Sequence, residues 1–294
     1  MFEPGSTMRR ASGGGAPLDA GALAEADRAA NAAAAAFGAW SVLNADVRAD
    51  HLLAAAASID ADRDTFVDLM ASEIGAARSW ADFNVDLAVE VFRQAAGLCG
   101  RLGDQPAAAD PHSVLRRQPA GVVLGIAPWN APVILAARAV AAPLACGNTV
   151  VMKGSELCPR THVRVIERLN AAGLTPGVAN VVTNAPDAAE AVVERLVAHP
   201  AVRRVNFTGS TRVGRDVAVT AARHLKPCVL ELSGKPAMIV LDDADVAHAA
   251  ASAVFGAFFN QGQICMATER IIVVAGIADR FVEALVARTR ALRA

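Results

Sequence analysis

The hydrophobic positions of the chain change their period near Gly121. Before that point, from Asp19 to about Leu98, apolar residues recur three or four positions apart, which predicts amphipathic helices. Asp or Ser stands near several of the expected helix starts, where these side chains can cap free backbone N–H groups. The pattern predicts helices over residues 19–40, 47–59 and 64–74.

Beyond Gly121, short β-branched runs alternate with helix-like segments. The runs are residues 122–126, 149–152, 179–182, 204–207, 228–231 and 238–241. The helix-like segments between them are residues 131–143, 159–172, 186–198 and 211–224. Strands that alternate with helices of this length indicate an α/β fold with a parallel sheet and helices on both faces. Because ligands of such sheets bind at the carboxyl ends of the strands, functional residues are expected just after each run.

Composition and charge exclude several classes of function. The chain has 28 basic and 29 acidic residues, and only 4% of its residues are aromatic, which gives no basis for nucleic-acid or anionic-membrane binding. Its five cysteines are too widely spaced for a zinc site and fit reduced thiols in the cytoplasm. The N-terminus does not resemble a signal peptide, and the apolar stretch 249–259 is too short to span a bilayer. We therefore expect a soluble cytoplasmic α/β protein without a metal.

Polar side chains follow the first two runs. Asn130 stands at the corner after run 122–126, where its amide could either donate to a developing oxyanion or cap the next helix. Lys153 and Glu156, on either side of Ser155, follow run 149–152, where they could bind ribose hydroxyls or form a solvated turn. For Asn130, and likewise for Lys153 and Glu156, both interpretations stay open on the local sequence alone.

Three further candidates lie towards the C-terminus. The turn that contains Gly209, Ser210, Val213 and Gly214 opens a helix, whose free N–H groups could bind a pyrophosphate. Its spacing is not that of the usual dinucleotide motif, and a simple capped helix start is the alternative. Glu231 ends a run that we expect to be buried, and burial of a carboxylate suits a general base, although the strand could also simply end at the surface. Cys265 follows an apolar helix-like run, where packing and nucleophilic roles are both open.

Taken in order, these segments resemble one family, the aldehyde dehydrogenases. The resemblance covers about residues 116–274 and is carried by GIAPWNAPV, ACGNTVVMKGSE, NFTGSTRVG, LELSGK and NQGQICMATER. It implies two intertwined α/β domains with a small β element for oligomerisation. On this basis we expect a disordered N-terminus over residues 1–17, a Rossmann-type NAD-binding domain over 18–234 with an oligomerisation hairpin in 100–119, and an incomplete α/β catalytic domain over 235–294.

The resemblance also implies roles for individual residues. Cys265 becomes the nucleophile, Asn130 and the backbone N–H of Cys265 the oxyanion hole, and Glu231 the general base. The residues implied in binding NAD are Trp129, Lys153, Ser155, Glu156, Gly209, Ser210, Val213, Gly214 and Leu232. The implied reaction oxidises an aldehyde through a hemithioacetal and a thioester, and the wording of the motifs is similar to dehydrogenases of aromatic aldehydes. The negative charge of Glu156 favours NAD over NADP, because it would repel a 2′-phosphate.

Two departures from the family pattern affect these expectations. Ser233 stands where the family usually has glycine, and it would be strained if that position needs a positive φ. Only 59 residues follow Lys235, so the chain is expected to be a fragment or a truncated form, with an apolar face of the segment 279–292 left uncovered. The alternative to an active homo-oligomeric enzyme is therefore a non-catalytic remnant that retains NAD binding. A cysteine hydrolase is a weaker alternative, because no motif places a histidine beside Cys265.

Overall fold

A computed structural model describes residues 20–101, 105–107 and 110–293 of the chain. The first part is helical, with α1 (Ala20–Ser41), α2 (Ala45–Asp60), α3 (Arg63–Ile74) and α4 (Arg78–Leu98). Asn44 caps α2, since its side chain accepts a hydrogen bond from the backbone of Asp46, and Gly75 ends α3 with a left-handed φ of 64°. The region predicted to be disordered, residues 1–17, lies outside the described residues.

A short hairpin leads from the helices into a parallel sheet. The hairpin pairs β1 (Gln105–Ala107) with β2 (Asp110–Leu115) in antiparallel fashion. The sheet follows, in chain order β3 (Val122–Ile126), α5 (Pro132–Ala145), β4 (Thr149–Lys153), α6 (Pro159–Ala171), β5 (Ala179–Val182), α7 (Ala189–Ala198), β6 (Val202–Thr208), α8 (Thr211–Arg223) and β7 (Cys228–Glu231). Its strand order is β5-β4-β3-β6-β7, and all of its described pairings are parallel.

Helices cover both faces of this sheet, as alternation along β4 illustrates. Val150 and Met152 belong to a core shared with α2 to α6, whereas Val151 faces a second core shared with α1, α7 and α8. Successive side chains of a strand point to opposite faces, so a strand that is apolar throughout must be covered on both sides. The buried pattern of β3 and β4 therefore confirms the doubly covered parallel sheet that the sequence predicts.

The last part of the chain forms a smaller unit with its own core. It contains β8 (Ala237–Val240), α9 (Val246–Phe258), β9 (Arg270–Val273) and α10 (Ala278–Arg290), with β8 and β9 paired in parallel. Phe281 and Val240 lie at the centre of this core. Several apolar side chains on the outside are exposed, among them Ile239, Phe255, Ile272, Val282 and Val286.

Candidate active site

The strand order creates a crevice at the carboxyl ends of β3 and β6. From β3 the chain moves outward to β4 and β5 on one side, and later to β6 and β7 on the other. Ligands of open α/β sheets bind where the strand order reverses in this way. Two predicted segments meet this edge, since Trp129 and Asn130 follow β3, and Gly209 and Ser210 follow β6.

Asn130 is tied to the segment that carries Cys265. Its side-chain Nδ2 donates to the backbone oxygen of Gln263 at 2.9 Å, across 133 residues of sequence. Its backbone oxygen accepts from Trp80 Nε1 at 2.9 Å and from Asn260 Nδ2 at 3.2 Å. The structure thus brings the predicted oxyanion donor next to the loop that ends at the predicted nucleophile. Asn130 does not act as the cap of α5, since the residue at that position is Ala131 and no side chain caps it.

The turn before Cys265 has an unusual backbone. Asn260 and Gln261 have φ angles of 49° and 54°, and Gly262 follows with 74°. Asparagine and glycine tolerate this left-handed region better than other residues do. Asn260 is buried and uses its amide to hold the turn, and Cys265 itself is exposed at the end of the loop.

Aromatic rings pack between this turn and helix α4. Phe259 packs edge-on against Trp80 and Phe83, with ring centroids 5.0 and 5.3 Å apart. Phe255 stacks on Phe259 at 4.9 Å. Edge-to-face pairs of this kind contribute roughly 0.5–1.5 kcal/mol each beyond their buried area. The position of Cys265 therefore depends on contacts with α4, which the local sequence pattern does not reveal.

Lys153 and Glu156 form an ion pair just after β4. Lys153 is buried, and its Nζ pairs with Oε1 of Glu156. Asn184 Nδ2 donates to the same Oε1 at 3.0 Å. Burial alone would raise the pKa of Glu156, but the hydrogen bond and the charge of Lys153 outweigh it and lower that pKa. Glu156 is therefore ionised near neutral pH beside Lys153.

Ser155, between these two residues, is engaged within the protein. Its backbone N–H donates to Nδ1 of His162 at 2.9 Å, and its hydroxyl accepts from the N–H of Leu157 at 3.2 Å. Its side chain is buried with these partners. The structure therefore places Ser155 as a support of the turn, and direct contact with a cofactor stays a prediction.

Helix α8 starts at the predicted pyrophosphate turn. Ser210 caps it, with its hydroxyl accepting from the N–H of Val213 at 3.3 Å. Gly209 N–H donates to the backbone oxygen of Glu231 at 3.0 Å, which joins the ends of β6 and β7. A Cβ at Gly214 would lie 2.4 Å from Cδ2 of Leu232, so glycine is needed for the close approach of these segments. This geometry leaves a helix N-terminus at the sheet edge, which suits an anionic group.

Glu231 differs from its sequence expectation. The prediction that it ends a buried strand is wrong, because β7 is an edge strand of the sheet and Glu231 is exposed. Ser233 has no positive φ, so the strain expected for a glycine position does not arise. Its hydroxyl lies 3.1 Å from that of Thr211, which links it to the start of α8.

Two further features concern the described part of the chain as a whole. Within it, no cluster of three histidine, cysteine or acidic side chains has the arrangement of a metal site. No helix in the same residues has the length and apolar character needed to cross a membrane.

Sequence reasoning missed Trp80, Asn184, Asn260 and His162. The Asn-Gln-Gly sequence signals a left-handed turn at Asn260, whereas Trp80, Asn184 and His162 carry no such signal.

Comparison with known proteins identifies the class to which this protein belongs. The model of the aldehyde dehydrogenase family matches residues 16–294. The chain belongs to the aldehyde dehydrogenase family, and the family resemblance read from the motifs is confirmed.

The individual relatives include dehydrogenases of aromatic aldehydes. A vanillin dehydrogenase of Pseudomonas fluorescens is 53% identical over 278 residues, which are 94% of this chain and 58% of that protein. A salicylaldehyde dehydrogenase from Pseudomonas putida G7, solved in complex with salicylaldehyde, superposes with a TM-score of 0.90 at 45% identity, over 92% of this chain and 57% of that one. PnpE in complex with nicotinamide adenine dinucleotide superposes with a TM-score of 0.86 at 34% identity, over 92% and 56%. The chain thus spans somewhat more than half the length of these relatives.

Proposed function

We propose that this chain takes part in the NAD-dependent oxidation of an aromatic aldehyde to its carboxylic acid, with Cys265 as the nucleophile. The observation that carries the proposal is the hydrogen bond between the Asn130 amide and the backbone of Gln263. It brings an amide donor to the loop of an exposed cysteine at the carboxyl edge of a parallel sheet. A cysteine and an oxyanion donor in one crevice support acyl chemistry on a carbonyl group.

The first half of the reaction uses Cys265 and Asn130. The Cys265 sulfur, as its thiolate, bonds to the aldehyde carbon, and the carbonyl oxygen becomes an oxyanion that the Asn130 amide and the Cys265 N–H stabilise. One such donor typically accounts for about 3–4 kcal/mol of transition-state stabilisation. When bound, NAD supplies the acceptor for the hydride that leaves this carbon. A thioester remains on Cys265.

The second half of the reaction uses Glu231. Its carboxylate takes one proton from a water molecule while the water oxygen attacks the thioester carbon. The carbon–sulfur bond then breaks, the thiolate of Cys265 is restored and the carboxylic acid leaves. The backbone oxygen of Glu231 accepts from the N–H of Gly209, which holds this residue at the carboxyl edge of the sheet and supports the proposed role. Splitting the oxidation in this way replaces one difficult step by two easier ones.

The residues of the crevice fit NAD. Both side-chain donors of the ribose site bind Oε1 of Glu156, and Oε2 has no side-chain donor among the described residues, so it can accept from a ribose hydroxyl. The capped start of α8 offers N–H groups for the pyrophosphate. Val213 lies in its first turn, Leu232 approaches its Gly214, and Trp129 follows β3 at the same sheet edge, so these three side chains could line the cofactor. A 2′-phosphate would meet the negative charge of Glu156, which supports NAD over NADP.

The substrate class rests on the relatives. The vanillin and salicylaldehyde dehydrogenases, at 53% and 45% identity, are named for aldehydes that carry an aromatic ring. We therefore propose benzaldehyde-type substrates. From the family resemblance we also propose a homo-oligomer that uses the hairpin of β1 and β2.

Steady-state kinetics test this proposal. Residues 1–294 are mixed with NAD and either salicylaldehyde or benzaldehyde, and reduced nicotinamide is followed, with Cys265→Ala as the matched control. We expect turnover that the alanine variant abolishes, and a higher kcat/KM with NAD than with NADP. Turnover that survives in the Cys265→Ala variant would refute the nucleophile, and a higher kcat/KM with NADP would refute the cofactor preference.

A second candidate is a chain that binds NAD without turnover. It is favoured by the exposure of Glu231 and of two apolar neighbours of the catalytic loop, Phe255 at 63% and Met266 at 66%. Binding of NAD by a folded sample that reduces none of it in the presence of aldehyde would support this candidate against the enzyme.

A further inference from the structure

Asn184 lies beside the proposed ribose site, and the proposed mechanism uses it in no step. It follows strand β5 by two residues, and β5 runs next to β4, the strand that leads to Glu156. The N–H of Gly154 donates to the backbone oxygen of Val182 at 3.0 Å, so the two chain segments stay together beyond the strands. An asparagine after a strand is often only a turn residue. The contacts of this amide argue for a more specific role.

The direction of the Asn184 amide is fixed by two hydrogen bonds. Its Nδ2 donates to Oε1 of Glu156 at 3.0 Å and to the backbone oxygen of Ala185 at 2.8 Å. If the amide were turned over, its oxygen would face these two acceptors, so the contacts assign the nitrogen to this side. One N–H of the amide is therefore aimed at the Glu156 carboxylate.

The oxygen of the same amide is buried without a hydrogen bond. Within the part of the chain that the structure describes, Oδ1 of Asn184 has no donor in reach. A buried acceptor that stays unsatisfied destabilises a fold. Stability alone therefore does not favour an asparagine at this position, whereas the contact with Glu156 requires its donor.

The two partners of Glu156 act on its carboxylate in different ways. Lys153 pairs with the same Oε1 that Asn184 contacts. An ammonium group is a compact charge with three rotating donors, so it attracts a carboxylate without fixing its direction. An amide N–H is directional, because its hydrogen bond weakens steeply when it is bent. Asn184 is therefore the partner that orients the carboxylate and leaves Oε2 as an acceptor.

We propose that Asn184 is a positioning residue that sets the preference for NAD over NADP, because it holds the Glu156 carboxylate towards the 2′ position of the ribose. This inference rests on the proposed function, which assigns the ribose to Glu156. With Asn184 present, a 2′-hydroxyl meets an oriented acceptor and a 2′-phosphate meets a fixed negative charge. Without it the carboxylate can rotate, so NAD loses an acceptor and NADP meets weaker repulsion.

Calorimetry measures this preference as the ratio of the Kd for NADP to the Kd for NAD. In Asn184→Ala we expect the ratio to fall about tenfold, equivalent to about 1.4 kcal/mol. Asn184→Leu keeps the branched shape without a donor and should lower the ratio equally, which excludes a cavity as the cause. Asn180→Ala is the matched control, since Asn180 Nδ2 also makes two bonds, to backbone oxygens of Val150 and Gly177 at the other end of β5. It should leave the ratio within about twofold of wild type.

Thermal unfolding without cofactor gives a second readout. Asn184→Ala loses the bond to Glu156 but also the unsatisfied Oδ1, so its unfolding temperature should stay within about 2 °C of wild type. In a Glu156→Ala background that bond is already absent, and the effect of Asn184→Ala should be more favourable by about 2–4 °C.

Three results would overturn the inference: an unchanged ratio in both Asn184 variants, an equal fall in Asn180→Ala, or the same unfolding effect of Asn184→Ala in both backgrounds. A wild type that binds neither dinucleotide would instead refute the proposed function. The comparison of the two backgrounds would then still decide whether Asn184 holds Glu156.

Discussion

Helix α8 approaches the segment after β7 so closely at Gly214 that a larger residue there should disturb the proposed cofactor cleft. In Gly214→Ala the new Cβ would lie 2.4 Å from Leu232 Cδ2 and 3.2 Å from Phe207 Cε1, both shorter than normal carbon contacts of about 3.5–4.0 Å. Overpacking of this kind costs about 1–3 kcal/mol. Alanine regains up to about 1 kcal/mol of helix propensity, and the end of Leu232 can rotate, so we expect a net loss of about 1 kcal/mol.

Thermal unfolding measures this loss, since one kcal/mol lowers the unfolding temperature of a domain of similar size by about 2–4 °C. Gly38→Ala is the matched control, because Gly38 also lies in a helix but has nothing within 4 Å of a Cβ. It should be neutral or stabilising. In a Leu232→Ala background the cost of Gly214→Ala should fall, with a coupling of about 1 kcal/mol. A Gly214 variant as stable as the Gly38 variant, or a cost unchanged without the leucine side chain, would refute the packing argument.

Three further predictions address the supports of the site. The Glu73 carboxylate accepts four hydrogen bonds from Arg160 and Thr161 at the start of α6, and its side chain is only 6% exposed. Glu73→Ala should therefore lower the free energy of unfolding, measured in urea, by about 2 kcal/mol, and Glu73→Gln should lower it by less. Asn260→Ala loses the side-chain bonds to Asn130 and Gln263 and adds left-handed strain of about 1 kcal/mol, whereas Asn260→Gly loses the same bonds without the strain. Alanine should therefore lower the unfolding temperature more than glycine, and the reverse order would contradict the backbone argument. The lowered pKa of Glu156 means that its ion pair stabilises the fold above the ordinary carboxyl pKa of 4.5 and is lost as the pH falls through the lower folded pKa. The difference in unfolding temperature between wild type and Glu156→Gln should accordingly be present at pH 7 and shrink below about pH 4.5.

The sequence predicts the main sheet well, because its strands and helices are defined by local periodicity. The strands Val122–Ile126 and Ala179–Val182 have the expected bounds, and the helix expected over residues 211–224 is observed as Thr211–Arg223. The strand Arg270–Val273 was not expected, since its residues alternate only half-buried and exposed positions and it depends on pairing with β8. Burial of a strand is likewise a property of its neighbours, which is why the expectation for Glu231 was wrong.

In the candidate site, too, residues that stand in sequence motifs are predictable, whereas the residues that support them are not. Asn130, Glu156 and Cys265 stand in motifs, so the sequence alone suggests the roles proposed for them. Their supports act over long sequence distances, as in the bond from Trp80 to Asn130 across 50 residues. Such contacts depend on how helices pack, which neither periodicity nor composition specifies.

Covalent trapping tests directly whether Cys265 is the nucleophile. A Glu231→Gln variant is mixed with NAD and salicylaldehyde, and its peptides are analysed by mass spectrometry while reduced nicotinamide is counted. We expect an acyl thioester on the peptide that carries Cys265, formed only with NAD and equal in amount to the reduced nicotinamide, with the other four cysteines unmodified as internal controls. Nicotinamide reduction without an adduct at Cys265, or an adduct on another cysteine, would contradict it.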